Sequence, residues 1–269
     1  MARAIWNGSI SFGLVNVPVK LYSAVQGSAQ VSFHQLHATD KSRIKQKRVC
    51  AKDGEEVPYE DIVKGYEIAP GQYVVIEPEE LEALDPEASR TIDIEDFVDL
   101  DEIDPVYYDR PYYLGPYDKA SAKAYRLLLD AMRETNKVAI ARFVMRTKQY
   151  LAAIRPKDGV LVLSTMNYAD EIAPSDEVEG SSETEDVDVK PRELEMAKQL
   201  IASLSDDFDP TKYEDEYRVR VIELIEKKAA GEEIVVEPTS EEPAKVVDLM
   251  AALEESLNAA KQRKDSKTG

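Results

Sequence analysis

Residues 138–165, VAIARFVMRTKQYLAAIRPKDGVLVLST, decide the fold class. In the first eleven, Ala141, Phe143 and Met145 fall on one side of an extended chain, and Arg142, Val144, Arg146 and Lys148 fall on the other. That period of two marks a strand with one face buried and one face wet and basic. QYLAAIRPKDGVLVLST then reads as two more strands joined across Pro156 to Gly159, where proline, aspartate and glycine supply turn chemistry. Arg155 and Lys157 therefore flank a hairpin tip.

Working outward, short β-type runs punctuated by Gly and Pro continue back to the N-terminus: AIWNGSISFG, VNVPVKLYS, RIKQKRV, GQYVVIEP and RTIDIEDFVDL. A short helix is expected at Pro78 to Leu84. A long one is expected from Asp118 to about Asn136, with Ala124, Leu127, Leu128 and Met132 on its buried stripe. Residues 1–166 thus read as an α+β, mostly β, core. From Asn167 an acidic, Ser-rich stretch leads into two helices, which with it make up region 167–231. The first opens on Pro191 and buries Leu194, Ala197, Leu200, Ile201 and Leu204. The second takes Asp209 as N-cap and carries Tyr213, Tyr217, Val221, Leu224 and Ile225 on one stripe, with Gly231 just past its end. This pair closes a monomer's core or meets a partner subunit. A Glu- and Pro-rich linker, 232–243, precedes a last amphipathic helix within 244–269, where Val246, Leu249, Met250, Leu253 and Leu257 align. Such a helix docks either on its own domain or in a groove on another protein.

The chain has 269 residues and a formal net charge of −19, yet its cations are concentrated. Residues 1–48 hold seven Lys or Arg against Asp40 alone, and residues 119–157 hold ten against Asp130 and Glu134. The acids gather elsewhere, with fourteen in 77–109 and seven in 176–188. Because screening confines exposed charge to about 8 Å at physiological salt, a basic surface acts locally even on an acidic protein. Lys41, Arg43, Lys45 and Lys47 recur at period two, and on a strand they would stand roughly 6.7 Å apart on one face, facing a ladder of phosphates.

Little points to catalysis. Ser9 and Ser11 lie in no nucleophile elbow, and no GxxxxGK[ST] loop occurs. His34 and His37 lack a third ligand at convincing spacing and read as local hydrogen-bonding or packing groups. Trp6 reads as core or interface. Asp93, Glu95, Asp96, Asp99, Asp101, Glu102 and Asp104 read as a solvated face, the competing reading being a metal-dependent nuclease. An acidic adaptor that binds no DNA is a third reading. The lone Cys50 permits no internal disulfide, and polar residues and Pro18 interrupt the N-terminal apolar run, so neither a signal peptide nor a membrane span is expected. No cofactor is expected, and the expected location is the cytoplasm, on the nucleoid.

Taken in order, several segments resemble the bacterial Ku family of DNA-end-binding proteins: ARAIWNGSISFGLVNVPVKLYSA, FHQLHATDKSRIKQKRVC, EVPYEDIVKGYE, YVVIEPEELEAL, PYYLGPYDKASAKAYRLLLDAMRETNKVAIARFVMR, ELEMAKQLIASLSDDFDPTKYEDEYRVRVIELIEKKAAG and VVDLMAALEESL. The resemblance implies a Ku-core β-barrel with an extended helical dimerisation arm, paired as a ring-forming homodimer around double-stranded DNA ends. It implies a DNA-facing lining of Lys41, Arg43, Lys45, Lys47, Arg142, Arg146 and Lys148, joined by Arg3, Arg155 and Lys157. It also implies recruitment of the multifunctional end-joining ligase, ligase D, through Val246, Leu249, Met250, Leu253 and Leu257. Two departures stand out. Many members carry a long Lys- and Ala-rich tail where KQRKDSKTG follows the helix, so tail-assisted bridging is not expected. The segment KRVC-AKDG looks like half a zinc knuckle with Asp53 in place of a second cysteine, and one thiolate is too few for a structural zinc, so no metal is expected.

Overall fold

The computed structural model describes residues 3–26, 31–77, 79–80, 90–145, 148–184, 187–231 and 249–267. They fall into two units, Met1–Ala173 and Pro174–Gly269.

The first unit is built on a closed barrel of β1 (Trp6–Phe12), β2 (Val15–Ser23), β6 (Tyr108–Pro116), β9 (Val160–Met166), β8 (Lys148–Lys157), β7 (Lys137–Met145) and β5 (Thr91–Asp99), in that order. All neighbours are antiparallel except the closing pair, where Ser9–Ser11 of β1 runs parallel to Thr91–Asp93 of β5. Alternation sets the interior: Ile10, Val17, Val19, Leu21, Ile92, Leu114, Ala141, Phe143, Ile154, Leu161 and Leu163 point inward and are buried. The expected strands at 138–165 are present, with two differences. β7 stops at Met145, so Lys148 opens β8 and pairs with Met145 instead of continuing the face of Arg142. The hairpin turn is the two residues Asp158 (φ 49°) and Gly159 (φ 80°), which suits the primed turn that matches strand twist, and β8 runs on through Pro156 and Lys157.

Closure by β1 depends on Gly8. A Cβ there would fall 2.0 Å from the Arg90 carbonyl oxygen and 2.1 Å from the Trp6 ring. The Trp6 indole lies edge-on to Phe143 at 5.9 Å and donates to the Val144 carbonyl at 3.2 Å, so this ring joins β1 to β7 past β5.

Helix α1 (Ala122–Thr135) covers the core. Asp118 and Ser121 exchange hydrogen bonds ahead of it, at 3.0 and 2.9 Å, and Asn136 ends it in the left-handed region at φ 52°. Its buried face is Tyr125, Leu128, Leu129 and Met132. Leu127, expected inside, is 69% exposed, because the stripe is centred one residue further round the helix. The Tyr125 hydroxyl donates to the Leu114 carbonyl at 2.6 Å and accepts from the Leu161 amide at 2.8 Å, which stitches α1 to β6 and β9.

A separate hairpin, β3 (Lys64–Ala69) and β4 (Gln72–Ile76), has no buried residue. The short helix expected at Pro78–Leu84 lies, apart from Glu79 and Glu80, outside the described residues.

In the second unit, α2 (Pro191–Leu204), α3 (Glu216–Ala229) and α4 (Leu249–Lys267) follow a run of single 3-10 turns. Asp209 and Pro210 form such a turn, and the helix expected there starts later, where Asp215 accepts from the Arg218 amide at 2.9 Å. Tyr213 therefore precedes α3. No residue of α2 or α3 is buried. On α2, Leu194, Ile201 and Leu204, expected on the buried face, are exposed, and on α3 the stripe residues Tyr217, Leu224 and Ile225 are exposed. The half-buried face of α2 keeps Ala197 and Leu200 of the expected set and adds Met196.

Candidate nucleic-acid interface

The loop between β2 and β3 carries the densest cations. It is no strand: two isolated bridges, Leu36 with Arg43 and Val49 with Glu56, close two turns built alike. In the first, the His37 amide bonds the Ser42 carbonyl at 2.8 Å, Asp40 accepts from the Ser42 amide at 3.0 Å, and Lys41 takes φ 59°. In the second, the Cys50 amide bonds the Glu55 carbonyl at 2.8 Å, Asp53 accepts from the Glu55 amide at 3.0 Å, and Gly54 takes φ 77°. This duplication went unseen in the sequence; its only signal is an aspartate three residues after His37 and again three after Cys50. Asp53 is thus the brace of its own turn. Among the described residues no three His, Cys, Asp or Glu side chains form a group fit to hold a metal ion.

The period-two stripe is therefore corrected. Lys41 sits in a left-handed turn with its ammonium 2.6 Å from the Ala38 carbonyl, Arg43 closes a bridge, and Lys45 and Lys47 lie on the stretch joining the two turns. Every residue from Ser32 to Val49 is nonetheless exposed, so the cations are presented to solvent by a loop instead of a sheet face. His37 serves this scaffold, its Nδ1 lying 3.1 Å from Asp40. The hydrogen bonds from Ser42, and then that histidine, hold the Asp40 carboxyl below its ordinary pKa.

The barrel supplies two further groups. Arg142 projects from the outer face of β7 and is exposed, and its Nε bonds Glu95 Oε1 at 2.6 Å. The pair borders a cavity of about 340 Å³ lined by Thr91, Asp93, Phe143, Val144 and Gln149. Lys148, at the start of β8, lies 5.4 Å from the centre of the Tyr150 ring and 3.5 Å from Glu171. At the other end of β8, Arg155 and Lys157 share the outer face with each other. Between them and Arg142 an apolar patch intervenes, where Val138, Ala153 and Met166 pack with Tyr107 and Tyr108. Burial raises the pKa of the Tyr108 phenol, with Arg155 opposing. Arg3 is exposed ahead of β1. Arg146 lies outside the described residues.

The acidic run 93–104 is distributed over structural tasks. Asp99 pairs with Lys137 at 2.9 Å and shares a capping box with Glu102, Asp104 accepts from the Val106 amide at 2.9 Å, and Glu95 holds Arg142. Charges spread over caps and cross-strand pairs do not converge on one point, as a nuclease metal site requires.

Within the second unit, α4 lies against α2: Leu257 is buried, and Glu254 Oε1 comes within 3.6 Å of Arg192. Met250 and Leu253 are half-buried, Leu249 is exposed, and Val246 lies outside the described residues.

The structure is thus of the class of closed barrels sealed by a parallel strand pair, with exposed cations on one long loop and on the outer wall. Residues 11–196 match the family model described as the Ku70/Ku80 beta-barrel domain. The chain is 53% identical over 267 residues to the non-homologous end joining protein Ku of Anaeromyxobacter sp. (strain K), covering 98% of this chain and 88% of that one. It is 46% identical to non-homologous end joining protein Ku 1 of Saccharopolyspora erythraea, covering 97% and 80%. It is also 46% identical to the Ku protein of Desulfitobacterium hafniense, covering 99% and 91%. The chain belongs to the Ku family.

Proposed function

We propose that this chain serves non-homologous end joining in DNA repair as a non-catalytic clamp on double-stranded DNA ends. One observation carries the reading. On a Ku-family barrel in a chain of net charge −19, Arg43, Lys45 and Lys157 are exposed, Arg155 is half-buried on the outer wall, and none of the four makes an ion pair among the described residues. Lys and Arg on loops and strand faces bind phosphate without reading bases, the chemistry of a sequence-independent grip. Arg3, Lys41, Lys47, Arg142, Arg146 and Lys148 complete the proposed contact set.

The clamp is a homodimer in this reading. An isolated two-stranded hairpin is marginal in water, and β3–β4 exposes Tyr66, Ile68, Tyr73, Val74 and Val75. α3 likewise buries none of its apolar residues. A second copy supplies the missing partner surface, and the closed assembly admits duplex only at a free end. The terminal helix recruits ligase D, with Val246, Leu249, Met250 and Leu253 as the docking stripe, while Leu257 of the expected stripe is taken up in the contact with α2. The Leu249 end is the more accessible.

A gel shift in EDTA tests the reading. Linear duplex is bound and left uncut, and covalently closed circles are bound less. Affinity falls with salt at a log–log slope of about −0.9 per neutralised phosphate, and the double variant Arg43→Glu, Lys45→Glu flattens it. Equal capture of circles, or an unchanged slope in the double variant, defeats the reading. Removing residues 244–269 abolishes ligase stimulation and leaves end binding intact; loss of both would make the helix part of the core.

A further inference from the structure

Three cations of the proposed contact set are already occupied by carboxylates of this chain: Arg142 by Glu95 at 2.6 Å, Lys148 by Glu171 at 3.5 Å and Lys47 by Glu56 at 2.5 Å. Exposed ion pairs are commonly incidental, formed by two long side chains that drift together. These differ, because the backbone places each glutamate independently of its cation. Glu95 is the extra residue of a β-bulge, between the pairs Ile94 with Ala141 and Asp96 with Ile140, and a bulge re-aims the side chain it carries. Asp93, directly across the sheet from Arg142, adds a second negative charge beside it. Glu171 accepts from the Tyr168 amide at 2.9 Å through its other oxygen. The backbone of Glu56 is placed by its bridge to Val49.

We propose that Glu95, Glu171 and Glu56 are built-in stand-ins for phosphate. They keep Arg142, Lys148 and Lys47 extended while the protein is free of DNA. They also weaken each cation's attraction for a phosphate, because phosphate must displace a carboxylate that remains nearby as a like charge. The inference rests on the DNA-binding reading and adds to it a set of carboxylates that set affinity. The lowered pKa values of Glu95, from its bond to Arg142, and of Glu171, chiefly from the Tyr168 amide, keep both anionic at neutral pH.

Removing such a carboxylate removes a repulsion between unit charges about 5 Å apart in water, which corresponds to about four-fold in affinity. The test is salt-dependent binding of wild-type full chain and of Glu95→Gln, Glu171→Gln and their double variant to a blocked linear duplex. Each single variant binds about four-fold tighter, and the double variant about sixteen-fold, since the sites act independently. Two controls separate position from net charge. Asp101→Asn removes an exposed carboxylate that forms no ion pair among the described residues, and it changes affinity less than two-fold. Glu95→Asp keeps the charge and stays within two-fold of wild type. Glutamine variants that bind like wild type, or gain no more than Asp101→Asn, overturn the proposal and leave the DNA-binding reading standing. A wild type that fails to bind linear duplex in the same titration overturns that reading and the proposal with it.

Discussion

Replacing Tyr125 by phenylalanine removes one oxygen from the centre of the barrel's closure. The ring is 6% exposed, so its packing against the core survives the change and no cavity opens. What is lost is the bridge between the Leu114 carbonyl and the Leu161 amide, each in a residue with no exposed surface. Leu114 and Leu161 face each other in the β6–β9 register. The deletion leaves a buried donor and a buried acceptor held apart by an aromatic ring. An orphaned buried group costs about 1–3 kcal/mol, and with partial closing of the strands the expected total is about 3 kcal/mol. For a unit of this size that lowers the melting temperature by about 6–12 °C. Trp6, the only tryptophan, reports barrel integrity through its fluorescence in a urea titration. The midpoint falls while the slope stays constant, since the surface exposed on unfolding is unchanged. A loss below about 0.5 kcal/mol would refute the argument, because it would mean that the two strands satisfy each other without the phenol.

Three further outcomes are expected. Burial raises the pKa of the Tyr125 phenol. The unfolded chain therefore releases this proton first, near pH ~10, and the stability it contributes is complete below that pH and is lost as pH rises through the folded value. An alkaline unfolding series of Tyr125→Phe should have a limb shallower by about 1.4 kcal/mol per pH unit, and an identical limb would exclude the linkage. Gly8→Ala forces a methyl group onto the Arg90 carbonyl and the Trp6 ring, so barrel stability falls by at least about 2 kcal/mol and the tryptophan emission shifts; native emission at unchanged stability would disprove the close approach. Leu257→Asp loosens α4 from α2 by about 2 kcal/mol or more, visible as roughly thirty-fold faster amide exchange in 249–267 with barrel unfolding unchanged.

The barrel was legible where its strands have two unlike faces. Ala141, Phe143 and Ile154 must alternate with wetter neighbours because one side of the sheet is packed, so a period of two survives in the sequence. β6 was not picked out, since YDRPYYLGP carries two prolines and a register shift between Tyr108 and Pro111 that blur the alternation. Lys41 to Lys47 misled for the opposite reason. Their alternation is of charge against Ser, Ile and Gln, with no buried face to drive pairing, and the turns braced by Asp40 and Asp53 set the local backbone instead. The cations themselves were visible by composition. Their partners were not, because Arg142 meets Glu95 across 47 residues and through a bulge, neither of which leaves a mark in local sequence.

That pairing bears on how so acidic a chain can hold DNA without clinging to it everywhere. The phosphate rails of a duplex end and of its interior are chemically alike, so contact chemistry alone cannot prefer ends. Preference has to come from how many contacts form together. A barrel touching the side of an intact duplex engages few cations, and where those are Arg142, Lys148 or Lys47 each contact is discounted by a carboxylate fixed beside it. In the proposed clamp, a duplex enclosed from several sides engages them together with Arg43, Lys45, Arg155 and Lys157, which form no ion pair among the described residues, and the sum of many modest gains exceeds the discounts. Strong bare cations throughout would erase this difference, because a handful would bind any stretch of DNA. Weakened individual contacts make affinity a steep function of how many form together, and in the proposed clamp a free end is what admits the duplex to the position where many form.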